Sequence, residues 1–106
     1  NKDSFIELNL EYARSWAAVD RALKEALITV DDLDRDQGIF FVEFSKQEEE
    51  KGFIRRMFSS ESFKGKYQVI IKEVNENTCM VTIVSDGEDS KLYERDLLSE
   101  INQSLS

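Results

Sequence analysis

Between residues 12 and 27 the apolar side chains Tyr12, Trp16, Val19, Leu23, Ala26 and Leu27 recur at spacings of three and four, whereas most of the segments around them alternate. This change of period constrains the fold more than any other feature of the chain. Spacings of three and four line one stripe of a helix, and alternation lines one face of a strand. The helix therefore needs a sheet whose apolar face matches its stripe. Arg14, Asp20, Arg21, Lys24 and Glu25 fall off the stripe and are expected in water. Asn9 or a neighbour is expected to cap the helix, and Glu11 suits the positive end of its dipole.

The alternating segments supply the sheet. Ile6, Leu8 and Leu10 point one way within residues 5–10, and Ile28 and Val30 share a face within residues 28–34. The run Asp34-Arg35-Asp36-Gln37-Gly38 reads as a turn in which Gly38 supplies the positive φ of a tight hairpin. Residues 39–45 follow, with Phe40, Val42 and Phe44 on one face and Ile39 and Phe41 on the other. Further strands are expected over 66–74, with Tyr67, Val69 and Ile71 aligned, and over 78–85, with Cys79, Val81 and Ile83 aligned. Asn75-Glu76-Asn77 is the turn between them. Asp89 or Ser90 is placed to cap a last helix to about residue 105, with Leu97, Leu98, Ile101 and Leu105 as its stripe.

The order is β-α-β-β-β-β-α, an α+β arrangement. Short connections make the sheet mostly antiparallel, with both helices packed on one of its faces. At 106 residues the chain suits one domain, and it contains no proline, repeat or internal linker. It opens on Asn1, not Met, which suggests a piece of a longer protein. No apolar run is long enough to span a membrane.

Composition removes several kinds of chemistry. Acidic residues outnumber basic ones by 22 to 14, a net charge of −8 that repels phosphate backbones and argues against nucleic acid as a partner. Without histidine there is no Ser-His or Cys-His pair, and one cysteine leaves no disulfide and no plausible zinc set. No phosphate-cradling glycine motif occurs. Asp32, Asp34 and Asp36 have the alternation of a calcium loop, but Gly38 falls one residue late and the segment overlaps the expected hairpin, so it reads as a solvated turn. Cys79 reads as a buried, inert thiol. Catalytic residues, metal and cofactor are therefore all expected to be absent.

One segment resists a bland reading. Residues 46–65 lack a period and read as a long loop, opening with the charge run 48–50. Within it Phe53, Ile54, Met57 and Phe58 surround Arg55 and Arg56. These residues either close one end of the core as a helical turn or form an exposed apolar patch that meets a protein or a membrane interface. On the second reading they are the candidate partner-binding residues, together with the groove between the helices and that loop.

The ordered set of elements resembles the repeated domain of the BamC family of outer-membrane lipoproteins, also called NlpB. The resemblance rests on the helix with Trp16 and Ala22-Leu23, then on the hairpin from Ile28 through Asp34-Arg35-Asp36-Gln37-Gly38-Ile39-Phe40-Phe41-Val42. It continues in the glycine-aromatic loop from Gly52-Phe53 to Phe58, in Tyr67-Gln68-Val69-Ile70-Ile71 and Val81-Thr82-Ile83, and in the final helix between Leu97 and Leu105. It covers nearly the whole chain. It implies a helix-grip fold and a non-enzymatic, accessory subunit of the outer-membrane β-barrel assembly machinery, with other subunits of that machinery as partners. A lipid anchor in a preceding segment, on the periplasmic side or at the cell surface, is also implied. The acidity and Arg55-Arg56 depart from the family pattern. The alternative is a ligand- or lipid-binding helix-grip domain, which would need a cavity between helix and sheet; the large inward residues Trp16, Phe40, Phe44 and Tyr67 argue for a filled core.

Overall fold

The computed structural model describes residues 4–47, 62–85, 87 and 90–105. Its elements run β1 (Ile6–Leu8), α1 (Tyr12–Glu25), β2 (Thr29–Asp34), β3 (Ile39–Gln47), β4 (Ser62–Asn75), β5 (Thr78–Ser85), a 3-10 turn (Ser90–Tyr93) and α2 (Glu94–Leu105). The five strands form one sheet in the order β1-β5-β4-β3-β2, antiparallel at every pairing. Both helices lie on one face, giving the expected α+β helix-grip arrangement.

The core follows from the two periods. Phe40 and Val42 of β3, Tyr67, Val69 and Ile71 of β4, and Cys79 and Val81 of β5 are buried on the helix side of the sheet. Val19, Ala22 and Leu23 of α1 and Leu97 and Ile101 of α2 close over them. Trp16 stacks on Phe40 with ring centroids 4.0 Å apart and 18° between planes, and Phe44 meets Tyr67 edge-on at 6.2 Å. On the opposite, helix-free face Ile39, Phe41, Ile70 and Met80 are half-buried among polar neighbours.

The first hairpin is tied to α1. Gly38 has φ +74°, and its carbonyl accepts a 2.8 Å bond from Ile71 N–H of β4. The Tyr12 hydroxyl donates to the Arg35 carbonyl at 2.6 Å. Burial pushes the Tyr12 phenol above its ordinary value, with the Arg35 guanidinium opposing the shift. A raised phenol pKa means that the unfolded chain loses this proton first as the pH climbs. Stability linked to Tyr12 is therefore fully present below about pH 10 and declines as the pH rises through the folded-state value. Comparison of urea midpoints for Tyr12→Phe and the parent between pH 8 and 11 should show a smaller alkaline loss in the variant.

Several local expectations are corrected. Helix α1 ends at Glu25, not at residue 27, and the side chain of Leu27 is 89% exposed instead of extending the apolar stripe. The reason is a Schellman stop: Ile28 N–H bonds the Leu23 carbonyl at 2.9 Å and Leu27 N–H bonds the Lys24 carbonyl at 3.1 Å. That geometry puts Leu27 at φ +61°, in the left-handed region where glycine is usual. Leu27→Gly is expected to raise unfolding stability by roughly 0.5–1 kcal/mol, readable as a higher urea midpoint at unchanged m-value. At its other end α1 has Glu11, not Asn9, at the N-cap, without a side-chain bond to the helix. The buried Ser15 hydroxyl instead donates to the Leu10 carbonyl at 3.2 Å.

The strands shift as well. β1 is shorter than the alternation of 5–10 indicates, and β2 begins at Thr29 and carries a bulge between Val30 and Asp32 that breaks its period. The α-helical part of the last helix begins at Glu94 because the 3-10 turn comes first. Glu94 fixes that junction by accepting a 2.5 Å bond from the Ser85 hydroxyl at the end of β5. The largest difference lies in residues 46–65, expected as loop throughout. Lys46 and Gln47 belong to β3, and 62–65 belong to β4.

Candidate functional site

The candidate residues Phe53, Ile54, Arg55, Arg56, Met57 and Phe58 lie outside the described residues, as does the charge run 48–50. The structure does describe the platform that carries them. β2 stops pairing with β3 at Thr29↔Glu43, and β5 stops pairing with β4 at Tyr67↔Ser85. β3 and β4 continue past both limits through Phe44↔Gly65, Ser45↔Lys64, Lys46↔Phe63 and Gln47↔Ser62. At ~3.4 Å per residue this two-stranded ribbon projects about 13 Å beyond the sheet. Segment 48–61 joins its two ends, so the apolar and basic cluster is covalently tethered to the ribbon tip.

The base of the ribbon is well packed. Phe44 and Gly65 face each other at its root, both buried, and the Phe44 ring meets Tyr67 edge-on. Lys66 of β4 pairs with Asp31 of β2 at 3.2 Å. Both side chains are well exposed, so the pair contributes little to stability.

The other residues singled out by sequence have structural tasks. Asp32 Oδ1 accepts from Leu33 N–H at 2.8 Å, and Asp34 Oδ1 accepts from Gln37 N–H at 3.1 Å, so both carboxylates organise the edge strand and its turn. No group of three or more metal-ligating side chains converges among the described residues. The Cys79 thiol is free and fully buried beneath the helices. Trp16, Phe40, Phe44 and Tyr67 fill the space between α1 and the sheet that a bound ligand would need. No helix among the described residues is long and apolar enough to cross a membrane.

Sequence reasoning missed a groove of about 200 Å³ at the root of the ribbon, between residues 26–29 after α1 and residues 43–45 of β3. Spacing alone hides it, because it places Leu27 on the apolar stripe of α1.

Comparison with known proteins agrees with this architecture. The sequence model of the family described as outer membrane protein assembly factor BamC-like C-terminal domain matches residues 1–106. An outer membrane protein assembly factor BamC from Accumulibacter regalis is 29% identical over 112 residues, covering 94% of this chain and 29% of that protein. The chain thus spans less than a third of the relative's length. Among solved structures, the adenylate sensor of AMP-activated protein kinase with a bound ribofuranotide superposes with a TM-score of 0.67 at 17% identity, over 94% of this chain and 93% of that one. The same sensor complexed with ATP gives 0.65 at 19% identity, over 99% and 98%. At such identities these two show a shared fold and nothing about ligands.

Proposed function

The chain belongs to the BamC-like C-terminal domain family of outer-membrane protein assembly factors, and on that footing we propose that it is a non-enzymatic protein-interaction domain working in outer-membrane protein assembly. It is read as one helix-grip domain of a longer lipoprotein, held at the outer membrane by a lipid anchor outside this segment. Its partners on this reading are other subunits of the β-barrel assembly complex, met on the periplasmic side or at the cell surface.

The observation that carries the proposal is the projecting β3–β4 ribbon. A compact domain gains little stability from extending two strands past their neighbours, and among the described residues no strand flanks the extension. Segment 48–61, which contains the Phe53–Phe58 cluster, joins the chain at the two ends of this ribbon. Phe53, Ile54, Met57 and Phe58 then act as apolar anchors, and Arg55 and Arg56 as the charged ring around them, the composition of an interface hot spot.

Replacing Phe53 and Phe58 together by Ser is expected to leave cooperative unfolding intact and to weaken binding to the purified assembly machinery by about a hundredfold, two truncated anchors at roughly 1.4 kcal/mol each. Amide resonances of 52–60 should shift or broaden during titration of the labelled chain with that machinery. Loss of thermal cooperativity in the double variant would assign both rings to the core and sink the proposal.

A further inference from the structure

We draw no further inference here: the strongest candidate, the half-buried apolar patch of Ile39, Phe41, Ile70 and Met80 with the exposed Val84 on the helix-free face of the sheet, is an unpartnered face, and nothing in the structure shows what covers it.

Discussion

Gly38→Ala is expected to lose about 3 kcal/mol of stability, although it adds a single methyl group, because Gly38 is buried in its turn. The backbone at Gly38 has φ +74°, where an L side chain costs roughly 1–2 kcal/mol. The new Cβ would also stand 2.5 Å from the Ile71 carbonyl oxygen and 3.1 Å from the Tyr12 hydroxyl. The first neighbour is backbone and cannot rotate away. Relief requires β4 and the turn to separate, which strains the bond from Ile71 N–H to the Gly38 carbonyl and the bond from Tyr12 to Arg35. Loosening two such bonds adds about 1–2 kcal/mol. Gly38→Asn separates the contributions, since Asn tolerates the left-handed region but carries the same Cβ. Urea unfolding should place Asn between Gly and Ala. A midpoint for Gly38→Ala within error of the parent would show that β4 yields freely, and the packing account of this turn would fail.

Gly38 also illustrates which parts of the fold were legible in the amino-acid sequence. The hairpin around it announces itself, because Asp34 and Gly38 are turn residues and the flanking runs alternate. The buried sets Phe40-Val42-Phe44 and Tyr67-Val69-Ile71 fall on the expected face because each central strand has one covered side, and period two survives wherever that holds. The ribbon breaks this rule. Past Glu43 and Tyr67 no adjoining strand among the described residues enlarges a buried face, and 46–47 and 62–65 show no periodic signal and read as loop. The bulge in β2 conceals itself in the same way, since one extra residue inverts the alternation after Val30.

Leu27 misled for the opposite reason. It continues the spacing from Leu23, and no glycine or asparagine marks the stop, yet the hydrogen bonds of a Schellman motif end the helix two residues earlier. A helix stop without its usual residue is a local conflict, and such conflicts mark positions kept for something other than stability. The groove beside Leu27 therefore became visible only with the backbone path. The 53–58 cluster, by contrast, is conspicuous from composition alone, and the segment that carries it joins the two ends of the ribbon.

The largest single effect is expected at Trp16. Its ring lies 4.0 Å from Phe40 in a stacked arrangement, 6.4 Å from Tyr12, and carries the Arg35 guanidinium 6.0 Å over its face. It thereby joins α1, the β2–β3 turn and β3 at one point, and only 8% of it remains exposed. Trp16→Ala removes the ring and leaves a cavity among Tyr12, Val19 and Phe40 that the rigid sheet cannot collapse to fill. The expected loss is 3–5 kcal/mol, or roughly 15–25 °C in melting temperature for a domain of this size. Against a typical total of ~5–15 kcal/mol this brings a domain of ordinary stability close to unfolding at 37 °C. Two controls assign the cause. Trp16→Phe keeps a ring against Phe40 and should recover more than half of the loss, whereas Arg35→Ala removes only the exposed cation over the ring and should cost less than about 1 kcal/mol. If Arg35→Ala matched Trp16→Ala in thermal denaturation, the joint would be electrostatic, and the helix-to-sheet packing inferred from the apolar stripe of α1 would not be what holds the grip closed.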